Sequence, residues 1–478
     1  MQYLRVIISI FLISFLSFSC QKNPATGQNE FNLLSEAEED AIGQSEHEKI
    51  IIQFGGEYKN KKLKNYIESL GNFLVSTSEL SEKKFTFTIL DTPIINAFAL
   101  PGGYIYVTRG LIYLCQNEAQ LAGVIAHEIG HVTARHSARR YTKTVGTGIF
   151  IQVLNIFSKN AFLNNFLGQS AQLYLLSYSR SQEYQADQLA VRYMTRAGFD
   201  AKEMASFLKL MEEFSNIQKR IYKIENKVSE LLQTHPNSSK RVQEVIESYK
   251  GKTQLNPIIG KDVFLKKIDG INYGHKEEEG FFIKNSFIHK PLKIKFSFGK
   301  NFYFLNTPKA LIGTTNKKTK VIFNLDQSSK ENDINYVSSW VNIPKKKILD
   351  VKNFTNNNFK ITMGRFIKNK KYFAFATLND NEKMIYRFLL MTSKEEINSY
   401  EKEFKKIVLS FKRISDDESN LFFAPEIKIM SAASNSNFLK DVLTKSKLQT
   451  MFSEEIFRTL NDLNNKNVET NNKIKTVY

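Results

Sequence analysis

This 478-residue chain contains only two cysteines, Cys20 and Cys115. So few exclude a disulfide scaffold and any cysteine-rich zinc finger. Uninterrupted apolar stretches of membrane-spanning length are also missing. The run from Val6 to Phe18 is about 13 residues, short of the roughly 20 that a helical bilayer crossing needs. The apolar stretch 145–178 is broken by Gln152, Asn155 and Lys159. There is no tandem repeat. The formal net charge is +19, yet no arginine-rich stripe or nucleic-acid motif accompanies it. The basic residues are dispersed, which reads as solvated surface and argues against a nucleic-acid partner. Histidine is scarce as well, seven in all, and three of the seven, His127, His131 and His136, are close neighbours.

What is present suits globular cores: 42% of residues are hydrophobic and 12% aromatic. The length calls for several domains. At the N-terminus, Arg5 precedes the short apolar run, and small Ser19 precedes Cys20. This is the build of a signal peptide, 1–20, with a bacterial lipoprotein processing site. It predicts a lipid on Cys20, a membrane as partner and a periplasmic location, with Gln21 favouring the outer membrane. A lipidated Cys20 leaves Cys115 no partner for an intrachain disulfide.

Pro24 and Gly27 then mark a short tether. Ser35 with Glu38 forms a capping box for a helix running to about Ile52, and a second helical pattern covers Lys61 to about Val75. "FTFTIL" (85–90) alternates as a strand. "NAFAL" (96–100) and "YIYVT" (104–108) flank Pro101-Gly102-Gly103 and read as a hairpin. Asn117 with Gln120 caps a helix whose apolar stripe is Leu121, Val124, Ile125, Ile129 and Val132. A long helix is predicted from roughly Ala171 to Arg196, ended by Gly198. Asp200 with Glu203 opens the next, and a last one runs from beyond Pro236 to about Tyr249. After residue 255 short alternating runs, "LKIKFSF", "KVIFNL" and "YFAFATL", point to a β-rich module. A helix over 401–414 is predicted to pack on it. The final stretch 421–478 reads strand, helix, helix, strand.

The chemistry lies on the capped helix, in "VIAHEIGHVTARH". Histidines at i and i+4 sit about 40° apart around a helix, so both imidazoles reach one ion. Glu128 lies between them, placed to act as a base on a water held by that ion. A catalytic zinc takes three protein ligands and keeps a fourth position open. A third histidine six residues after the second would be one solution, but Ser137 stands there. The other solution is a glutamate from a later helix. "SRSQEYQADQLA" offers Glu183 and Asp187, again at i and i+4, with Glu183 as ligand and Asp187 fixing the tautomer of a ligand histidine. His136 falls off the ligand face and reads as a supporting residue.

Together, "NPATG", "NAFALPGGYIYVTRGLI", "NEAQLAGVIAHEIGHVTARH", "EYQAD" and "THPNSSKR" resemble the HtpX-like zinc metallopeptidases, the forty-eighth metallopeptidase family, over roughly residues 22–250. That family also takes in the prenyl-CaaX proteases and periplasmic proteases that tend outer-membrane assembly; this chain looks like the secreted, lipid-anchored branch. The resemblance implies a gluzincin-type domain, with His127, His131 and Glu183 on Zn2+ and Glu128 as catalytic base. It also places His235 on a loop that approaches the metal and Arg241 nearby. His235, with Arg241 as the alternative, is the predicted donor to the oxyanion; His235 also suits the open metal position of a resting enzyme.

The expected fold is therefore α+β: a mainly helical protease domain with a small sheet over 21–255, a β-rich α+β module over 256–420, and a small module over 421–478 that resembles LysM in its order. The expected function is a zinc endopeptidase acting on unfolded or misassembled envelope proteins, with peptidoglycan as a possible partner of the last module. The alternatives are a non-proteolytic chaperone or assembly factor, and a cell-wall-associated binding protein.

Overall fold

The computed structural model describes residues 20–146, 177–222, 235, 241, 244, 247, 255–315, 319–327, 334–379, 384–433, 437–463 and 468–478. The expected signal peptide, most of the apolar stretch 145–178, the turn expected at Pro236 and most of the helix expected up to Tyr249 lie outside these residues. Arg241, Glu244 and Glu247 are helical. No helix among the described residues is long and apolar enough to cross a membrane. The fold is α+β, in two compact units. One is built from Met1–Asn216, Val228–Ile271 and Thr459–Leu463, the other from Ile217–Lys227, Asn272–Arg458 and Asn464–Tyr478.

The first unit opens with a short antiparallel ladder, β1 (Cys20–Lys22) on β2 (Asn29–Phe31). The expected free tether is thus a folded element. Its turn is held by Asn23, which is fully buried and whose side-chain oxygen accepts from the Ala25 amide at 2.9 Å. Helix α1 (Glu36–Gln53) starts at the Ser35–Glu38 capping box, and α2 (Lys61–Ser76) is capped by Asn60. Next come β3 (Thr86–Leu90), β4 (Ala97–Leu100) and β5 (Tyr104–Thr108), in the spatial order β3-β5-β4. β4 and β5 form the expected hairpin. Gly102 and Gly103 carry its turn at φ of +84° and +86°, a region that glycine enters without steric cost. β3 runs parallel to β5. Its alternation misleads about exposure, because Phe87, Thr88, Ile89 and Leu90 are all buried.

A short helix α3 (Arg109–Leu114) leads to α4 (Glu118–Thr133), capped by Asn117 as its sequence requires. Every side chain from Ala119 to Thr133 is buried, so α4 is the central helix. It packs on α2, on β4 and most extensively on α6 (Arg180–Arg196). Gly130 permits that last approach: a Cβ there would lie 3.1 Å from the Ala186 carbonyl and 3.2 Å from the Leu189 side chain. α5 (His136–Gly146) follows α4 after a tight turn in which Arg135 has φ of +51°. The helix expected from about Ala171 starts at Arg180, because Ser179 and Gln182 form a capping box that ends the non-helical segment 177–179. α7 (Lys202–Tyr222) and α8 (Lys261–Ile268) complete the unit's named helices.

The second unit contains a four-stranded sheet, a seven-stranded antiparallel sheet and a terminal strand pair. The four-stranded sheet holds β6 (Phe281–Ile283), β7 (Ser286–His289) and β8 (Ile294–Ser297). The larger one holds β9 (Tyr303–Asn306), β10 (Leu311–Thr314), β11 (Lys320–Gln327), β12 (Leu349–Asn356), β13 (Phe359–Lys368), β14 (Lys371–Asn379) and β15 (Met384–Thr392). α9 (Ile334–Val341) packs on one face of the large sheet through Tyr336 and Val337, against Phe366, Phe375 and Ile385. Alternate residues, among them Phe323, Ala376 and Phe388, meet Phe404, Ile407 and Val408 of α10 (Ile397–Ser410). The period of two thus feeds two cores. The helix expected over 401–414 starts earlier and stops at Ser410, where β16 (Lys412–Arg413) joins β8. After α11 (Asp416–Asn420), the order β17 (Ile427–Ser431), α12 (Phe438–Lys445), α13 (Ser453–Leu460) and β18 (Lys473–Val477) is strand, helix, helix, strand, with the strands antiparallel.

Candidate metal centre

Four buried side chains meet at the junction of α4 and α6: His127, His131, Glu183 and His235. One nitrogen or oxygen from each lies within 4.8 Å of all the others. The helical repeat brings the Nε2 atoms of His127 and His131 to 3.0 Å. Glu183, at the first turn of α6, faces them at 3.5 Å from His127 Nε2 and 3.4 Å from His131 Nε2. His235 Nδ1 lies 3.2 Å from His127 Nε2 and 3.0 Å from Glu183 Oε1.

The outer nitrogens of both α4 histidines are fixed by neighbours. His127 Nδ1 is 2.9 Å from Asp187 Oδ1, so Nδ1 keeps a proton there and Nε2 faces inward, where a bound cation would displace any proton it holds. For His131 the tautomer follows from a chain of contacts. Arg139 can only donate, and its Nη1 lies 3.3 Å from Gln185 Oε1, which makes that atom the amide oxygen. The same oxygen is 3.0 Å from His136 Nε2, which therefore donates. Burial lowers the His136 pKa to about 4, so the ring is neutral and its Nδ1 is an acceptor. His131 Nδ1, 2.8 Å away, donates to it, leaving His131 Nε2 bare and facing the cluster. His136 thus supports a ligand histidine, as its position off the ligand face suggested.

Charge at the site favours a cation. Burial alone would lower the His127 pKa, but the adjoining Asp187 and Glu183 outweigh it and carry it up to about 10. Burial pushes His131 well below the usual imidazole range. Burial would raise Glu183, yet His235, His127 and His131 hold its carboxyl well below the usual carboxylate range. Two inward-facing imidazole nitrogens and a carboxylate oxygen match the donor set of a divalent transition cation.

Glu128 points to the other side of this cluster, with Oε1 3.5 Å from His235 Nε2. Burial raises its pKa, and the amide of Ala99 on strand β4 partly opposes that rise. Its Oε2 has no hydrogen-bond partner among the described residues. β4 is an edge strand of the described sheet, so a polar ladder edge runs past the base. An apolar recess of about 30 Å³ opens beside His127 and Glu128, walled by Val124, Met204, Phe207 and Met211.

Arg241 lies close to this centre but is already engaged. Its Nε and Nη2 are each 2.7 Å from Asp187, and its Nη1 is 2.8 Å from Glu183 Oε2. A guanidinium bound to two carboxylates of α6 holds them in place. Sequence reasoning also passed over three neighbours. The Tyr178 ring stacks on His131 at 3.8 Å between centroids. Asn23 donates to the Ala134 carbonyl at 3.1 Å. Arg135 pairs with Glu39 at 2.9 Å. Only Gln185 carried a sequence signal, its place two residues after Glu183.

Residues 61–248 match the family model for Peptidase family M48. The mitochondrial metalloendopeptidase OMA1 of Schizosaccharomyces pombe is 27% identical over 230 residues, 47% of this chain and 65% of that protein. A putative beta-barrel assembly-enhancing protease of Vibrio cholerae is 34% identical over 193 residues, 38% of each chain. The beta-barrel assembly-enhancing protease of Escherichia coli is 31% identical over 218 residues, 43% of this chain and 42% of the relative. The chain thus spans less than two thirds of each relative's length.

Proposed function

Residues 61–248 are a metallopeptidase domain of family M48, and on that premise we propose that the whole chain is a zinc-dependent endopeptidase of the bacterial envelope that cleaves unfolded or misassembled proteins. The observation that carries this reading is a buried carboxylate, Glu128, beside a convergent donor set from two helices. A structural site has no use for such a base; hydrolysis needs one.

His127, His131 and Glu183 would hold the ion. When bound, the ion would supply Lewis-acid chemistry: a water acidic enough to ionise near neutral pH and a polarised peptide carbonyl. Glu128 takes the proton of the attacking water and returns it to the leaving amine. Asp187 and His136 keep the two imidazoles in the ligating tautomer. Arg241 holds the two α6 carboxylates in place. The edge of β4 suits an extended substrate, whose main chain would pair along it irrespective of sequence. His235 stands among the donors, which supports a resting role as fourth ligand; it must withdraw before water and substrate enter, and from there its ring can donate to the developing oxyanion.

Two relatives are named for β-barrel assembly, which supports envelope proteins as substrates. The same reading includes a lipid on Cys20, a periplasmic location with the outer membrane favoured, and cell-wall contact through 421–478. Pelleting of the full-length protein with purified sacculi tests the last, and failure to pellet removes it. For the activity, casein cleavage by wild type is compared with Glu128→Gln. The variant should lose at least about 100-fold while still binding zinc. Equal cleavage by both removes Glu128 from the mechanism, and cleavage by neither removes the protease.

A further inference from the structure

The segment after Cys20 is welded to the helix that carries the metal ligands. β1 and β2 pair so that Cys20 lies directly opposite Phe31. Asn23, three residues on, is fully buried and donates to the Ala134 carbonyl at the end of α4. Arg135, the next residue, donates to the side chain of Gln21 and to the Leu34 carbonyl, and pairs with Glu39. The Leu33 amide donates to Thr142 on α5 at 2.9 Å. No slack lies between Cys20 and the protease unit. Three extended residues and one helical turn put the His131 backbone within roughly 20 Å of Cys20.

Two large apolar side chains are exposed at this end. Phe31 is 52% exposed and Leu33 41% exposed, and Lys22 on β1 is exposed beside them. A lipid on Cys20 would hold this edge at a bilayer, where exposed apolar and basic residues strengthen the hold.

We propose that Phe31 and Leu33 enter the interface of the phospholipid bilayer beside the lipid-bearing Cys20, fixing the protease unit so that its metal centre works within roughly 20 Å of the membrane surface. This rests on the lipid-anchored reading above and deepens it. Its substrates are chain segments lying at or emerging from the membrane, and proteins far from the surface are out of reach. Lys22 adds attraction to anionic headgroups.

The test uses the full chain, processed in a bacterial host and reconstituted into vesicles of phosphatidylethanolamine and phosphatidylglycerol with brominated acyl chains. In a Trp340→Phe background, an indole is introduced by Phe31→Trp or, as control, by Ile52→Trp, which is 77% exposed and about 24 Å along α1 from its first residue. The expected result is at least twofold quenching for Phe31→Trp and none for Ile52→Trp, with casein cleavage at the wild-type level for both. Equal quenching at the two positions, or none at Phe31→Trp in vesicle-bound protein, overturns the proposal. Cys20→Ala separates it from the lipid reading. If that variant keeps vesicle binding and the quenching pattern, the lipid is wrong and the surface stands. If Cys20→Ala abolishes binding while Phe31→Trp in the lipidated protein stays unquenched, the lipid stands and the surface is wrong.

Discussion

Asp187 Oδ1 sits 2.9 Å from His127 Nδ1, one helix supplying the hydrogen-bond acceptor that fixes a ligand on another. The same carboxylate accepts two 2.7 Å bonds from Arg241. Replacing it with an amide removes the charge that favours the ligating tautomer. Asp187→Asn should weaken zinc binding by about 10–100-fold, read by competition with a chromogenic chelator under conditions where circular dichroism shows the fold intact. Unchanged affinity would mean that Asp187 does not support the ligand.

Arg241 makes a different prediction because it is buried. Arg241→Met strands two carboxylates in the interior, and breaking a buried pair in this way costs about 3–5 kcal/mol. Urea unfolding should show that loss. Arg241→Lys should recover little of it, since an ammonium cannot reproduce the two parallel bonds to Asp187. Full rescue by lysine would contradict the clamp.

Spacing of four residues on a helix is a local property, so the pairing of His127 with His131 and of Glu183 with Asp187 is legible in the sequence, and the structure brings the first three together with His235. His136 was placed for the same reason, by angle alone. Asn23, Arg135 and Tyr178 were not legible, because each acts on a partner far away in the chain or through a ring face that no spacing encodes. Nothing local in the sequence reveals that Arg241 pairs with Asp187 and Glu183. In the fold, caps such as Ser35, Asn117 and Ser179 set helix starts reliably. The parallel pairing of β3 with β5 and the order of the seven-stranded sheet depend on long-range register, which alternation leaves open.

Gly130 is the place where α6 comes closest to α4. Gly130→Val forces the two helices apart. It should destabilise the protein by about 1–3 kcal/mol and, by withdrawing Glu183, lower zinc affinity as well. Thermal unfolding and metal titration on the same variant check both. A stability loss with unchanged affinity would show that Glu183 does not need that close approach.

His235 stands among the donors, 3.2 Å from His127 Nε2 and 3.0 Å from Glu183 Oε1, where the proposed mechanism would place a water. If about one molecule in ten is open at rest, removing the imidazole raises casein cleavage by up to about tenfold, while zinc binds less tightly. The check is His235→Ala assayed at saturating zinc. A fall in cleavage to the level of Glu128→Gln would instead make the imidazole indispensable as an oxyanion donor.

The claim beneath all of these is that His127, His131 and Glu183 converge on one divalent cation. The most direct test is elemental analysis of the purified full-length protein by mass spectrometry, alongside His131→Ala and Glu183→Ala. One equivalent of zinc in the wild type, falling to well under half in both variants, is the predicted result. A metal-free wild type after zinc loading, or variants that retain a full equivalent, would contradict it.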